Sequence, residues 1–179
     1  MHLIRHAGYE GYCPNPARYI GRTDPPLSAE GRMQAVQLGQ SVPELQDVQV
    51  FASAARRASE TAALAFPRAN IRMTSNAMEI DYGRIEGLSV LEAARLYPEL
   101  CSPAPGRNSV LDFRSVGGEA ISDLFVRVRQ VAADAELFDE VVLVSHAIFL
   151  SAMRHHLLGG MATDIAFGFC ALVTLEQGV

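Results

Sequence analysis

Four side chains that can bind or attack a phosphoryl group occur at separate places in the sequence. Arg5 and His6 directly follow a short apolar run, Arg57 follows a second such run, and His146 directly follows a third. Guanidinium groups present planar pairs of donors that suit phosphate oxygens. Imidazole is the side chain best able to be neutral and nucleophilic near neutral pH. These residue types indicate a phosphoryl-transfer site, although Arg5 and His6 taken alone fit the exposed end of an edge strand equally well.

The chemistry that such a set supports is covalent catalysis. One imidazole attacks phosphorus in line, while the guanidinium groups and the other imidazole stabilise the phosphoryl oxygens. A carboxylic acid must then protonate the leaving oxygen and later deprotonate water, which contributes about 100- to 10,000-fold to the rate. Glu79, Asp81 and Glu86 fall within one stretch that could supply this acid, and all three remain candidates on residue type alone.

Alternating strand and helix patterns predict how these side chains are positioned. Short apolar runs alternate with segments of helical spacing, which is typical of a three-layer α/β/α sandwich around a mostly parallel sheet, here as a single domain over residues 1–179. Sites in such sheets lie beyond the carboxyl ends of the strands, where His6, residues 53–57 and His146 are expected. The predicted strands are 2–5, 48–51, 71–73, 140–145 and 170–175, and the predicted helices are 28–41, 55–65, 90–97, 118–137 and 146–158.

The composition of the 179-residue chain excludes several classes of function. Its formal net charge of −5 makes it a poor general binder of nucleic acid, because phosphate backbones require a basic face. All 15 basic residues are arginines, so Schiff-base chemistry and lysine-dependent phosphate loops are excluded. No run of about 18 or more apolar residues is present, so no membrane span is predicted.

The cysteines and the first residues of the chain suggest its location. Cys13, Cys101 and Cys170 are widely spaced and odd in number, which is typical of a reduced cytoplasmic protein and not of a disulfide framework or a zinc site. The first residues enter a strand-like run without a basic and apolar leader, so we expect no secretory signal and a cytoplasmic location. Cys13 lies in the long loop beside the predicted site, where it is either reactive or without consequence.

Six segments resemble, in the same order, the signature segments of the histidine phosphatase superfamily, also called the phosphoglycerate-mutase-like superfamily. An R-H-G signature alone would be a weak match, whereas six segments in the right order are specific. The segments are LIRHAGY, IGRTDPPLSAEGRMQA, SAARRASETA, EIDYGRIEG, GGEAISDLFVRV and VSHAIFL, from residue 3 to residue 150.

This resemblance implies a role for each candidate side chain. His6 is the implied nucleophile, and Glu79 is the implied acid and base in preference to the other carboxylates of its stretch. Arg5, Arg57 and His146 are the implied phosphate-binding residues. The family requires no metal or other cofactor, and the implied substrate is a small phosphorylated molecule. A homodimer is compatible with the resemblance.

The sequence departs from the family pattern beside both pocket histidines. Ala7 and Ala147 stand where the family has glycine, which costs about 1 kcal/mol or more if the backbone there has a positive φ. Tyr9 and Tyr12 stand in a segment where many members carry polar side chains, so we expect this segment to set the substrate preference. The residues predicted to contact the substrate are Tyr9, Tyr12, Gly21, Arg22 and Thr23.

The resemblance favours a phosphatase over a mutase, since the mutases of the family are longer and carry insertions that close over a bisphosphorylated intermediate. Among the branches of the family, the pattern RYIGRTDPPLS most resembles the small α-ribazole-5′-phosphate phosphatases and the fructose-2,6-bisphosphatases. The predicted function is therefore hydrolysis of a phosphomonoester through a phosphohistidine. The alternatives are a catalytically weak phospho-ligand-binding protein on the same fold and a mutase-type phosphotransferase.

Overall fold

The computed structural model describes residues 1–101, 112–159 and 167–175, and within them a five-stranded sheet. The strand order is β3-β2-β4-β1-β5, and every neighbouring pair is parallel except β1 and β5. The predicted, mostly parallel sheet is confirmed. The strands are β1 (His2–Arg5), β2 (Gln49–Ser53), β3 (Asn70–Thr74), β4 (Val141–Ser145) and β5 (Leu172–Thr174).

Six α-helices surround the sheet in the described part of the chain. Ser28 caps the first of them by accepting a hydrogen bond from the Gly31 amide at 3.0 Å. Four short 3₁₀ turns connect other elements, at Pro43–Leu45, Ser75–Ala77, Gly83–Ile85 and Arg114–Val116. The helices are α1 (Ala29–Ser41), α2 (Arg56–Ala65), α3 (Val90–Leu96), α4 (Pro98–Cys101), α5 (Ile121–Ala135) and α6 (Ala147–Leu158).

Several of the predicted boundaries differ from those observed, and those around α3, α4 and α5 have clear local causes. Pro98 ends α3, as predicted, but it also begins the short α4, because proline is tolerated in the first turn of a helix. The long helix begins at Ile121 and not at residue 118, since Ala120 is its N-cap and donates its backbone N–H to Asp123. Residues 98–117, for which the sequence predicts neither a strand nor a helix, lie in part outside the described residues.

Both faces of the sheet are covered, which makes the fold a three-layer sandwich. Side chains alternate along each strand, so Leu3 and Leu143 face one apolar cluster while Ile4 and Val144 face another. The first cluster contains the buried faces of α5 and α6, and the second contains those of α1 and α2. The doubly covered sheet explains why β4 is apolar throughout.

The register of the parallel strands brings the predicted site residues to one edge. Arg5 at the end of β1 pairs with Ser145 at the end of β4, so His6 and His146 follow the two neighbouring strand ends. The amide of His6 continues this ladder by donating to the Ser145 carbonyl at 2.9 Å. Strand β2 flanks β4 on its other side and ends at Ser53, just before the helix that carries Arg57. In the described part of the chain, no helix is long and apolar enough to cross a membrane.

Candidate active site

Three of the predicted site residues meet in a buried cluster at the carboxyl edge of the sheet. The Nε of Arg57 lies 3.3 Å from Nε2 of His6, and the ring centroids of His6 and His146 are 5.0 Å apart. All three side chains are almost fully buried, although each is polar. Burial of this kind requires partners or a ligand, because an unsatisfied polar group in an apolar interior is costly.

The hydrogen bonds of His6 define which ring nitrogen is free to react. Nδ1 lies 2.8 Å from the carbonyl oxygen of Ala7, which can only accept, so Nδ1 carries the proton. Nε2 of the neutral ring therefore holds a lone pair, and it accepts the hydrogen bond from Arg57. Burial and the nearby guanidinium of Arg57 lower the pKa of His6 to about 3. His6 is thus a neutral imidazole with Nε2 available at neutral pH.

Arg57 donates to the backbone carbonyls of the loop at residues 21–23, and the carboxylate of Glu86 accepts from the amides of the same loop. Its Nη1 and Nη2 donate to the carbonyls of Thr23 and Gly21 at 2.8 and 3.0 Å. The amides of the same two residues donate to Oε1 of Glu86 at 2.8 and 2.7 Å. The guanidinium keeps further N–H groups for an anion, since its terminal nitrogens carry two hydrogens each. Glu86 thus bonds the loop that holds Arg57.

Arg5 enters the site from the end of β1 and is fixed by two phenylalanines near the C-terminus. Its Nη1 donates to the carbonyl of Phe167 at 2.6 Å, and its guanidinium carbon lies 4.4 Å from the ring centroid of Phe169. The Nε of Arg5 is buried and has no hydrogen-bond partner among the described residues. Burial lowers the pKa of Arg5, while the nearby carboxylate of Glu79 opposes this shift. This arginine retains donor capacity for an anion.

His146 is the N-cap residue of α6 and contacts a serine from the neighbouring strand. Its Nε2 lies 2.8 Å from Oγ of Ser53, and its Nδ1 is buried without a partner in the described part of the chain. Burial lowers the pKa of His146 well below its ordinary value, and the charges of Arg57 contribute to this shift. Ser145 does not pair with His146, because its hydroxyl donates to the carbonyl of Ala77 at 2.6 Å.

Glu79 lies buried against the first turn of α6, with 5% of its surface exposed. Its carboxylate accepts hydrogen bonds from the amides of Ile148 at 3.0 Å and Phe149 at 3.1 Å, and from its neighbour Ile80 at 3.0 Å. Burial raises the pKa of Glu79, and these backbone hydrogen bonds oppose the shift without cancelling it. A carboxyl with a raised pKa is suited to donate a proton near neutral pH.

The other two carboxylates of this stretch have different surroundings. Oδ1 of Asp81 accepts from the amide of Gly83 at 2.8 Å, and Oδ2 lies 3.7 Å from Nε of Arg22. Glu86 bonds the loop behind Arg57 and not its own segment, as described above. Glu79 is the one of the three that lines the cavity with His6 and Arg5. This position favours Glu79 as the proton donor.

A cavity of about 230 Å³ opens beside these groups. Its lining includes Arg5, His6 and Glu79 from the chemical cluster and Tyr9 and Tyr12 from the following loop. The other residues predicted to contact the substrate lie elsewhere. Gly21 and Thr23 hold Arg57 through their backbones, and the guanidinium of Arg22 approaches Asp81 and Glu119 at 3.7 and 3.8 Å.

Neither alanine beside the pocket histidines strains the backbone. The one non-glycine residue with a positive φ in the described segments is Cys170, at 55°. Ala7 and Ala147 therefore adopt ordinary conformations, and the cost that a positive φ would impose does not arise. Ala7 is instead fully buried, and its amide donates to Oγ1 of Thr61 at 3.0 Å.

Sequence reasoning missed several residues that support the site. Ser53 appeared only as part of a segment, and its contact with His146 depends on the register of β2 against β4. Phe169 lies far along the chain from Arg5 and became visible only in the structure. Arg127 of α5 was read as part of a helix, yet its Nη1 donates to the carbonyls of Asn76 and Met78 at 2.6 and 2.8 Å. The available signal was its position on the apolar face of the helix, three residues after Leu124 and four before Val131.

Comparison with known proteins identifies relatives over most of the chain. Residues 1–176 match the family model described as histidine phosphatase superfamily (branch 1). Phosphoserine phosphatase 1 of Hydrogenobacter thermophilus is 31% identical over 163 residues, which cover 88% of this chain and 75% of the relative. A probable phosphoglycerate mutase (GpmB) of Salmonella paratyphi C is 28% identical over 169 residues, which cover 89% of this chain and 74% of the relative.

A solved structure shares the fold. The alpha-ribazole phosphatase from Shigella flexneri superposes with a TM-score of 0.74, covering 90% of this chain and 80% of that chain. Its sequence identity of 22% supports a shared architecture and no more.

Proposed function

Because the chain belongs to the histidine phosphatase superfamily (branch 1), we propose that it hydrolyses a small phosphomonoester through a phosphohistidine at His6. The observation that carries the proposal is the unprotonated Nε2 of a neutral, buried His6 that lines one cavity with Arg5 and Glu79. Arg57 and His146 complete a set of donors around the position that a phosphoryl group would occupy. The proposed enzyme requires no metal or other cofactor and acts in the cytoplasm.

The first step would transfer the phosphoryl group to the protein. Nε2 of His6 attacks phosphorus, and the bond between phosphorus and the ester oxygen breaks as the new N–P bond forms. Glu79 gives its proton to the departing oxygen, a role that its raised pKa favours. Arg5, Arg57 and the unpartnered Nδ1 of His146 stabilise the equatorial oxygens, with Ser53 able to donate its hydroxyl hydrogen to Nε2 of His146.

The second step would release inorganic phosphate. Water attacks the phosphorus of the phosphohistidine from the side that the leaving alcohol vacated, and the carboxylate of Glu79 accepts the proton of that water. The N–P bond breaks, and its electron pair returns to Nε2 of His6. The same carboxyl thus acts first as acid and then as base, and both protons are accounted for.

Turnover of a phosphomonoester by variants of two histidines at opposite ends of β1 tests this proposal. We expect His6→Ala to abolish hydrolysis of an aryl phosphate, whereas His2→Ala at the other end of β1 remains active, because the His2 ring contacts Thr174 and Glu140 away from the cavity. Assays with and without EDTA should give equal rates. Hydrolysis by His6→Ala at the wild-type rate contradicts the nucleophile, and loss of activity in EDTA contradicts metal independence.

A mutase-type phosphotransferase is the second candidate, and the match to a probable phosphoglycerate mutase favours it. The two candidates differ in the acceptor of the phosphoryl group, which is water for a phosphatase and a second hydroxyl for a mutase. When the phosphoryl group of the donor ester carries an isotope label, we expect the label to be released as inorganic phosphate. This should hold even when 3-phosphoglycerate is present in excess. Transfer of the label to 3-phosphoglycerate would favour the mutase. A binding protein without catalysis is excluded once any ester turns over.

The natural substrate is proposed only as a small phosphorylated metabolite. α-Ribazole 5′-phosphate is one compound to test, because the RYIGRTDPPLS pattern resembles the phosphatases of that compound and a structure of one shares the fold. A panel of phosphate esters that includes α-ribazole 5′-phosphate, phosphoserine and 3-phosphoglycerate would rank these candidates by kcat/KM.

A further inference from the structure

Three aromatic rings form a bracket at the mouth of the cavity, which we define as Tyr9, Tyr12 and Phe169. The ring centroids of Tyr9 and Tyr12 are 5.6 Å apart, those of Tyr12 and Phe169 are 4.7 Å apart, and those of Tyr9 and Phe169 are 6.0 Å apart. All three pairs meet edge to face, with interplanar angles between 73° and 88°. This is a favoured packing of aromatic rings, so each ring fixes the other two.

The rings of the aromatic bracket lie directly beside the groups that would bind phosphate. The Arg5 guanidinium carbon lies 4.4 Å from the centroid of Phe169, and that of Arg57 lies 5.9 Å from the centroid of Tyr9. The His6 ring centroid lies 5.8 Å from that of Tyr9 and 5.7 Å from that of Phe169. A group attached to a phosphoryl held by these residues would therefore lie beside the bracket.

Tyr12 is the member of the aromatic bracket that remains open to a ligand. It lines the cavity, and 47% of its surface is exposed even though it packs against two other rings. Phe169 is covered by Arg5 on one side and contacts Tyr12 with its ring. Because its neighbours already hold the Tyr12 ring in place, little conformational entropy is lost when a second ring stacks on its exposed surface.

The charges around the cavity argue against a second anionic group on the substrate. Apart from Arg5, His6 and Glu79, the charged residue in the lining is Arg18, counted over the described part of the chain. Its Nη1 donates to the carbonyl of Gly87 at 2.7 Å and lies 3.6 Å from Glu92, at the exposed surface. The lining also includes the apolar side chains of Ile20 and Ile148. Among the described lining residues, a carboxylate or a second phosphate would find no buried cation outside the phosphoryl position.

Resting on the proposed function, we propose that the substrate is a phosphomonoester whose leaving group carries an uncharged aromatic ring that stacks on Tyr12. The volume of about 230 Å³ supports this, because it lies below the roughly 300–1,000 Å³ of sites for drug-sized ligands and suits a phosphoryl group with one small ring system. The bracket is thus a specificity element of the active site.

One pair of esters with similar leaving groups tests this inference. Because both release a primary alcohol, a difference in rate reports binding of the ring and not reactivity of the leaving group. Benzyl phosphate and cyclohexylmethyl phosphate both release a primary alcohol and have similar size, but only the first has an aromatic face. We expect kcat/KM to be roughly 2- to 10-fold higher for benzyl phosphate, and lower still for phosphoserine and 3-phosphoglycerate. Equal values for the two matched esters, or a preference for either anionic substrate, would overturn the proposal.

Variants of Tyr12 test whether its ring causes the preference for the aromatic ester. Tyr12→Leu is expected to remove the preference for benzyl over cyclohexylmethyl phosphate, whereas Tyr12→Phe retains it because the ring is kept. Tyr97→Leu is the matched control, since Tyr97 lies outside the cavity lining and should leave the preference unchanged. Retention of the full preference by Tyr12→Leu would contradict the assignment.

Binding of benzylphosphonate, which cannot be hydrolysed, separates failure of the inference from failure of the proposed function. Calorimetry should show tighter binding of benzylphosphonate than of cyclohexylmethylphosphonate by the wild-type protein, and equal binding by Tyr12→Leu. If no ester turns over but this pattern holds, the proposed hydrolysis fails and the aromatic subsite stands. If esters turn over and the two phosphonates bind equally, the hydrolysis stands and the subsite is wrong.

Discussion

The position of Arg57 depends on a carboxylate that does not line the cavity. Oε1 of Glu86 accepts hydrogen bonds from the amides of Gly21 and Thr23, and the carbonyls of these two residues accept from Arg57. A side chain at residue 21 would not fit, because a Cβ there would clash with the Ile80 carbonyl oxygen. Glu86 is therefore a positioning residue that acts through this loop.

Glu86→Ala is expected to lower kcat roughly 10- to 100-fold, since Arg57 would lose the support that aims it at the transition state. Glu86→Gln should stay close to the wild type, because both hydrogen bonds end on one oxygen that an amide retains. The measurement is kcat and KM for an aryl phosphate, with urea denaturation to register any general loss of stability. An Ala variant with an unchanged kcat would contradict the positioning role.

The raised pKa of Glu79 predicts that kcat/KM declines on the alkaline side of its pH profile, which we call the alkaline limb. The proton donor must be protonated in the first step, so kcat/KM should fall as the pH rises through the raised pKa of Glu79. Glu79→Gln should lower kcat/KM by about 100-fold or more and remove this limb, because the amide does not titrate. An alkaline limb that persists unchanged in Glu79→Gln would assign the acid to another group.

At the level of single residues, the sequence indicated which side chains are candidates for the chemistry. It did not indicate which other residues those side chains contact. Arg5, His6, Arg57, Glu79 and His146 were identified from residue type, position after apolar runs and family resemblance, and the structure brings them together; their catalytic roles remain predictions. The contact of Ser53 with His146 and that of Phe169 with Arg5 join residues far apart in the chain. Such contacts depend on strand register and loop path, which one sequence does not encode in a local pattern.

At the level of elements, α5 holds the segment that carries Glu79, the proposed proton donor. Arg127 donates to the carbonyls of Asn76 and Met78, approaches that of Glu79 at 3.4 Å, and forms a bidentate pair with Glu119 at 2.8 and 2.7 Å. The segment after the short turn at Ser75–Ala77 is thereby fixed against the helix. This clamp keeps the Glu79 carboxylate at the first turn of α6.

Arg127→Met is expected to lower kcat about 10-fold or more and to change the pH at which the alkaline limb appears, because the carboxyl would leave the amides of α6. Arg129→Met is the matched control, since Arg129 lies exposed on the same helix two residues further on. A pH–rate profile of each variant, with urea denaturation, separates positioning from stability. Equal effects of both substitutions would contradict the clamp.

The strands and helices themselves were largely predictable, and the differences have local causes. The predicted second strand at 48–51 is observed at Gln49–Ser53, so it reaches the site further than its apolar run suggested. The predicted last strand at 170–175 is observed at Leu172–Thr174. Its first residues instead form a turn in which Ala171 donates to Gly168 at 3.1 Å and Cys170 has φ 55°. This turn is what places Phe169 beside Arg5.

At the level of the whole molecule, the buried site opposes folding in acid. Burial keeps His6 and His146 neutral in the fold, with the pKa of His6 lowered to about 3, while both are free to take a proton near pH 6.5 when unfolded. The unfolded state therefore binds more protons as the pH falls below about 6.5, and stability falls until the pH approaches the folded pKa values. Glu79 acts in the opposite direction, since its raised pKa favours the fold at low pH.

Between pH 7.5 and pH 5.5 each of these histidines should cost about 1.4 kcal/mol of unfolding free energy. We expect the double variant His6→Gln/His146→Gln to lose about 3 kcal/mol less than the wild type over this interval, because glutamine does not titrate. Urea denaturation at the two pH values gives the comparison, and His155→Gln/His156→Gln on the exposed end of α6 is the control. An identical pH dependence in the wild type and in the site variant would contradict neutral burial.

The most direct test of the account is the identity of the phosphorylated residue during turnover. Glu79→Gln, mixed with a phosphomonoester and quenched in alkali within one turnover, should contain a phosphoryl group on the peptide that begins at Met1, and fragmentation should place it on His6. The phosphoryl group should be lost on acid treatment, as expected of an N–P bond, and the same peptide of His6→Ala should carry none. Phosphorylation of a different residue, or steady turnover by His6→Ala, would contradict the central claim.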